Sequence, residues 1–331
     1  MSKIKIAQFG LGPIGLETLK LAATKPWVDI VGGIDIDPVK IGRPLSEITG
    51  DPGIRNAWVY RSLDDLLVRV KPDVILHTTV SQVSAAYSQL EPILRRGINV
   101  VSSCEELLFP QLREPDLAVK LDKAGKDGGA RLVGTGVNPG FVMDVLPICL
   151  TGMCRHVTAV HLQRVVNATT RRGSLQKKIG SGLAPAEFEA QFQAGHIGHA
   201  GLRESAALLA HCLGWKLDEL LETGKAMVAR RAIRTRFVEV RKGQCCGLHQ
   251  TVVGKVDGQI RLTLDLKMYL DAPNPHDACQ LEGDPPLNLV INGGVAGDAA
   301  TVAALVNAVP RLLRAAPGLL LMTDLAVPSY A

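Results

Sequence analysis

Residues 3–23, KIKIAQFGLGPIGLETLKLAA, decide how this chain folds. A short apolar run, KIKIAQF, meets a glycine and gives way to apolar residues at helical spacing. Gly10, Gly12 and Gly15 stand as GxGxxG between the strand and the helix. The pattern alone is common. It gains specificity from its strand–turn–helix setting and from an acid, Asp35, near the end of the next strand. Gly10 permits the tight turn, Gly12 lets the backbone approach a pyrophosphate, and Gly15 allows helix and strand to pack closely. Pro13 and Ile14 open the helix, whose free N–H groups and dipole favour a diphosphate.

Outward from this loop, strands and helices alternate through the first third of the chain. VDIVGGIDI, PDVILHTTV, NVVSSC and ARLVGTG read as strands, and SLDDLLVRV, SAAYSQLEPILRRG and PDLAVKLDKAGKDGG as helices. Such alternation predicts a parallel sheet covered by helices on both faces. Past Asn138 the pattern changes. RHVTAVHLQRVVNA reads as a strand, and APAEFEAQFQAG and RESAALLAHCLGW as helices. RTRFVEVRKGQ, GLHQTVVGKVDG and QIRLTLDLKMYL then alternate with period two, which predicts a largely antiparallel sheet. The expected organisation is a parallel-sheet dinucleotide-binding domain over 1–140, rejoined by a C-terminal helix over about 298–331. An α+β domain for substrate binding and dimerisation fills 141–297.

The chain has 331 residues, long enough for two domains, and 47% hydrophobic with 21% charged residues is typical of a soluble globular protein. A net charge of +5 with one basic run, TTRRGSLQKK, gives no reason to expect nucleic-acid binding. No signal-peptide layout and no long apolar stretch is present, so a cytoplasmic enzyme without membrane attachment is expected. Seven scattered cysteines, without a CxxC pair, point to reduced thiols and no metal site.

Asp35 is placed to accept from adenosine ribose hydroxyls, which favours NAD; Lys40 and Arg43 just downstream offer partners for a 2′-phosphate, so NADP or NAD fits. His77, Thr78 and Thr79 end a strand, where loops line the cofactor crevice. Thr78 and Thr79 are expected near the nicotinamide, and His77 reads as a core histidine. Asn138, in GVNPGF after the last parallel strand, is placed to bond nicotinamide or substrate.

Glu105 and Glu106 follow NVVSSC at the same edge of the sheet. Reducing a ketone needs a proton donor, and an ionised carboxylate is a poor one. Reducing an imine is different. A carboxylate can take the ammonium proton and stabilise the iminium cation. The segment CEEL looks like the EKP of sugar dehydrogenases with Glu106 replacing the lysine, so Glu106 is the leading catalytic candidate and Glu105 the second. Aromatic residues are only 4% of the chain, too few for an aromatic cage. An aliphatic pocket wall with Phe141, Met143 and Leu183 is expected. Arg164, Asn167 and Thr301 are further candidates for holding substrate. Asp298 or a polar neighbour is expected to cap the last helix.

Taken together, GLGPIG, CEEL, NPGF, RRGSLQKKIGSG, GHAGLRES, INGGVAGD and PGLL resemble, in order, the dihydrodipicolinate reductase-like group that contains the 2,4-diaminopentanoate dehydrogenases and native amine dehydrogenases. The resemblance runs nearly end to end. It implies a homodimer with an N-terminal Rossmann domain and a catalytic glutamate in CEEL. The implied reaction is NAD(P)H-dependent reductive amination of a small ketone or aldehyde with ammonia, reversible toward amine oxidation. Diamino-acid oxidation or cyclic-imine reduction is the alternative, motivated by the basic segment around Arg164, Arg171, Arg172, Lys177 and Lys178. One departure is Val295-Ala296, where relatives carry a bulkier or histidine-containing pair. The His-His signature of true dihydrodipicolinate reductases is missing.

Overall fold

The computed structural model describes residues 3–331. The chain divides into two units: one extends to Phe141 and resumes over Ala296–Ala331, and the other is Val142–Val295. The first unit is built from β1 (Ile4–Phe9), α1 (Pro13–Ala23), β2 (Val28–Ile34), α2 (Leu45–Thr49), β3 (Val59–Tyr60), α3 (Leu63–Leu67), β4 (Val74–His77), α4 (Val83–Arg95), β5 (Asn99–Ser102), α5 (Pro115–Gly128) and β6 (Arg131–Gly134). The second holds α6 (Val145–Thr151), β7 (His156–Asn167), α7 (Gly173–Lys178), α8 (Pro185–Gln193), α9 (Leu202–Cys212), β8 (Glu219–Val228), β9 (Ile233–Arg234), β10 (Glu239–Val240), β11 (Cys245–Val256), β12 (Gln259–Tyr269), β13 (His276–Asp284) and β14 (Leu287–Asn292). The chain then adds α10 (Gly297–Leu312) and β15 (Gly318–Leu320) to the first unit.

All pairings in the first sheet are parallel, in the order β15-β6-β5-β4-β1-β2-β3. The chain winds outward from β1 in one direction and, after β4, in the other. Right-handed crossovers therefore put α1 and α4 on opposite faces. β4 and β5 are buried at every position, as strands covered on both faces must be. Ile75, Val100, Leu90, Ile93, Leu121 and Leu132 share one core cluster. The reversal of direction falls between β1 and β4, which is where such sheets open a crevice at their carboxyl ends.

The second sheet runs β14-β13-β7-β12-β11-β8. Only β12 with β7 is parallel among its described pairings, so it is largely antiparallel. One expected strand did not form at length. RTRFVEVRKGQ yields only the two-residue pair β9–β10. Thr235 bends it: its hydroxyl accepts the Phe237 and Val238 amides at 3.0 Å each, and its own N–H donates to the Val238 carbonyl at 2.9 Å. A local hydroxyl turn here outweighs alternation. Among the described residues no helix is long and apolar enough to cross a membrane.

Candidate active site

The ladder of the first sheet continues past the strand ends and sets their loops side by side. Gly10 N donates to Ile34 O (2.9 Å), Thr78 N to Phe9 O (2.8 Å), Ser103 N to His77 O (2.9 Å) and Thr135 N to Ser102 O (2.8 Å). The glycine loop, Thr78-Thr79, the Glu105 segment and the Asn138 loop therefore line one edge in strand order.

The three loop glycines do different things. Gly10 has φ +88°, and a Cβ there would sit 2.6 Å from the Thr78 carbonyl oxygen. A Cβ on Gly15 would lie 1.9 Å from the Gly10 carbonyl oxygen. Both are sites of backbone contact. A Cβ on Gly12 would meet nothing within 4 Å. Gly12 is the N-cap of α1, Pro13 follows at the first turn, and no side chain caps this helix. The loop is thus closed toward the protein and open at Gly12, and the residues present fit a pyrophosphate on the N–H groups of the Ile14–Gly15 turn.

Sequence reading missed Gln8. It is fully buried and donates to the Thr78 hydroxyl (2.8 Å) and to the Gly10 carbonyl (3.1 Å). Thr78 donates to the same carbonyl at 3.0 Å. A polar residue inside the apolar run IKIAQF was the available signal. Thr79 turns inward, bonding Gln89 (2.8 Å) and His77 Nε2 (2.9 Å). His77 is fully buried between Ser102 (2.9 Å) and Gln89 (2.8 Å), a satisfied core histidine. Burial pushes its pKa down to about 4, against the hydrogen bond to the Gln89 oxygen that raises it. Asp35 is also buried. Burial by itself would raise its carboxyl, but the Asp37 and Leu11 amides and Lys40 outweigh that and hold it below the ordinary value.

Asn138 is buried and precedes a cis bond to Pro139. Its turn is tight: Gly140 has φ +127°, and a Cβ there would lie 2.2 Å from the Gly136 nitrogen. Thr301, on α10, accepts the Val137 N–H at 3.4 Å and so supports this turn. Phe141 is the half-buried last residue of this stretch of the unit.

Glu105 and Glu106 open a 3₁₀ turn, Glu105–Leu108, after β5. Gln82, the N-cap of α4, gives that helix no side-chain bond. Glu106 supplies one instead. Its Oε2 accepts the Val83 N–H at 2.9 Å, and its Oε1 lies 3.7 Å from Arg113 Nε. A carboxylate at a helix N-terminus is favoured by the dipole. This gives the leading sequence candidate a structural task, and Glu105 lies half-buried beside it.

In the second unit Arg164 and Asn167, two of the expected substrate residues, bond to the unit's own chain. Arg164 is buried, and its Nη1 donates to Asp277 Oδ1 while its Nη2 donates to the Val295 carbonyl (2.9 Å). Asp277 Oδ2 accepts the Val295 N–H (2.7 Å). The pair fixes Val295 and has no cation left over for a ligand carboxylate. Asn167 bridges the Ala272 carbonyl (3.2 Å) and the Thr169 N–H (3.0 Å). Met143 is buried, and Leu183 is half-buried, its carbonyl accepting the Cys245 N–H (2.9 Å). Gln176 shapes the basic segment. It donates to the Ala168, Thr169 and Arg171 carbonyls at 2.9–3.1 Å and accepts from Thr235 at 2.8 Å. Asp298 is not the cap of α10; Ala296 holds the N-cap position and Asp298 lies in the first turn.

The strand order and this glycine loop define a class, a dinucleotide-binding Rossmann protein, and the relatives make it an NAD(P)-dependent dehydrogenase. Residues 141–331 match the model of the 2,4-diaminopentanoate dehydrogenase C-terminal domain. The chain is 30% identical to the 2,4-diaminopentanoate dehydrogenase of Acetoanaerobium sticklandii over 99% of its own length and 95% of that protein's. It is 25% identical to an amine dehydrogenase of Streptomyces virginiae, covering 96% of this chain and 94% of that one. The solved amine dehydrogenase of Mycobacterium smegmatis shares the fold at TM-score 0.88, with 23% identity over 100% of this chain and 98% of its own. The chain belongs to the 2,4-diaminopentanoate dehydrogenase family.

Proposed function

We propose that this protein is a cytoplasmic amine dehydrogenase that converts small ketones or aldehydes and ammonia to amines, and runs in reverse as oxidative deamination. The observation that carries the reading is a carboxylate pair at the end of β5, two strands from the pinned glycine loop. The names of the relatives above support the same reaction class. The bound dinucleotide would supply hydride chemistry. The chain's own part is protons and charge. Ammonium gives a proton to a carboxylate, ammonia adds to the carbonyl carbon, the carboxyl returns that proton to the departing hydroxyl so that water leaves, and the regenerated carboxylate faces the iminium that remains. We assign that role to Glu105, with Glu106, whose carboxylate accepts the Val83 N–H and faces Arg113, as the other candidate. Asn138, supported by Thr301, is the proposed contact for nicotinamide or substrate. The second unit is proposed to bind substrate, with Met143 and Leu183 in an apolar wall, and to pair two chains as a homodimer.

The test is NAD(P)H oxidation with a panel of small ketones and aldehydes, with and without ammonium. Turnover should require ammonium. Equal rates without it would make the protein a carbonyl reductase and end this reading.

The family's name favours a second reading, in which the substrate is a diamino acid. Arg164 is not its carboxylate reader, since Asp277 and Val295 occupy it. Lys177, exposed on α7, is the cation of the basic segment to test first. A strong preference for 2,4-diaminopentanoate over the matching amine, lost in Lys177→Ala, would establish this reading over the first.

A further inference from the structure

The turn that carries Glu105 is tied on both sides of that residue. After it, the Glu106 N–H donates to the Ser81 carbonyl at 3.2 Å, and Glu106 Oε2 accepts the Val83 N–H at 2.9 Å. Before it, the Cys104 N–H donates to Ser102 Oγ at 3.1 Å, and that oxygen lies 2.9 Å from His77 Nδ1. Glu105 stands between the two ties, one residue from each. Cys104 is the N-cap of the 3₁₀ turn and gives it no side-chain bond. The Ser102 hydroxyl therefore holds the peptide at which the turn begins.

The tie at Cys104 has a direction. Gln89 Oε1, on α4, can only accept; it lies 2.8 Å from His77 Nε2 and takes the Thr79 hydroxyl at 2.8 Å. Nε2 therefore carries the ring hydrogen, and Nδ1 is a bare acceptor. The Ser102 hydroxyl gives its single hydrogen to Nδ1 and keeps a lone pair for the Cys104 N–H. His77 and Ser102 are both fully buried, and the Phe9 ring packs T-shaped against the imidazole with centroids 5.6 Å apart. Burial also keeps the imidazole neutral at ordinary pH, as this bonding requires. One line of bonds thus runs from α4 through the ends of β4 and β5 into the turn.

Resting on the reading of Glu105 as the proton carrier, we propose that His77 and Ser102 are positioning residues for the reaction. Gln89 sets the tautomer of His77, His77 aims the Ser102 hydroxyl, and Ser102 fixes the peptide that places the Glu105 carboxylate. Neither residue touches substrate. The test measures the ammonium-dependent kcat with a small ketone or aldehyde, with NAD(P)H affinity and thermal unfolding on the same samples. The variants are Ser102→Ala and His77→Leu, alone, combined, and with Glu105→Gln. Ser102→Ala should lower kcat by about 10- to 100-fold, the cost of a misplaced acid–base group, while NAD(P)H affinity changes by less than about threefold. His77→Leu should act alike, and the combined variant should lose no more than about threefold beyond either alone, because both work through one hydroxyl. In Glu105→Gln, Ser102→Ala should change the residual rate by less than about threefold, since the group it places is gone. A near-normal kcat in folded Ser102→Ala, beside a large loss in Glu105→Gln, overturns the proposal and leaves the carboxylate reading standing. Losses that multiply in the combined variant or in Glu105→Gln overturn it too, as does a fall in NAD(P)H affinity equal to the fall in kcat. Each of these makes the network a support of the fold alone. Normal turnover in Glu105→Gln itself removes the reading on which the proposal rests.

Discussion

The two units use buried polar side chains in opposite ways. In the first, Gln8, Thr78 and Asp35 hold the glycine loop from behind, and its outer side stays open at Gly12. In the second, Arg164, Asp277 and Gln176 direct their donors and acceptors into the unit's own backbone. A polar residue among glycines is therefore either a ligand contact or the peg that holds a loop. What separates the two is the carbonyl within reach, which depends on residues far away in sequence.

The largest test of this contrast is Arg164→Ala. It leaves the Asp277 carboxylate buried without its ion pair, a change that costs about 3–5 kcal/mol. Denaturant unfolding should register that loss. Replacing both partners, as in Arg164→Met with Asp277→Leu, should recover part of it. A loss under about 1 kcal/mol would mean that the pair is not an anchor.

The next effect is pH-dependent. His77 has a pKa of about 4 in the folded chain against 6.5 for the free side chain. Above pH 6.5 it is neutral in both states and its contribution is complete. As pH falls from there toward 4, the unfolded chain takes up a proton that the folded chain refuses, so stability drops. The span corresponds to about 3 kcal/mol at 1.36 kcal/mol per pKa unit. Wild type should lose most of this amount relative to His77→Gln between pH 7 and pH 4.5, and parallel pH curves would contradict the core role.

Smaller and more local is the comparison of Gly15→Ala with Gly12→Ala. The first forces a methyl onto the Gly10 carbonyl and should cost about 1–3 kcal/mol. The second meets open space and should change stability by less than about 0.5 kcal/mol while weakening NADH binding. Equal stability effects would erase the distinction between the loop's closed and open sides.

What the sequence made legible was local. The switch from strand to helical spacing around Gly10–Gly15 located the loop, and the alternating pattern up to Asn138 predicted the parallel sheet. The apolar spacing of α10 likewise predicted a helix, although it ends at Leu312 and β15 follows where the helix was expected to continue. The illegible parts depend on distant partners or local competition. Glu106 caps a helix that begins 23 residues earlier, and no spacing rule announces that pairing. Arg164 meets Asp277 across 113 residues, through the β7–β13 register. RTRFVEV alternates like a strand, yet Thr235 turns it within three residues. The edge strands β8 and β14 bury neither face fully, so their burial signal is weak.

The central claim is that one carboxylate of CEEL handles the amine's proton and that it is Glu105. The most direct measurement is single-turnover hydride transfer from bound NAD(P)H to a carbonyl in the presence of ammonium, in wild type, Glu105→Gln and Glu106→Gln, with cofactor affinity measured alongside. Glu105→Gln should cut the rate by about 10²- to 10⁴-fold at unchanged cofactor affinity, while Glu106→Gln loses stability and only a smaller part of the rate. A near-normal rate in Glu105→Gln would contradict the assignment, and near-normal rates in both variants would remove the carboxylate from the chemistry.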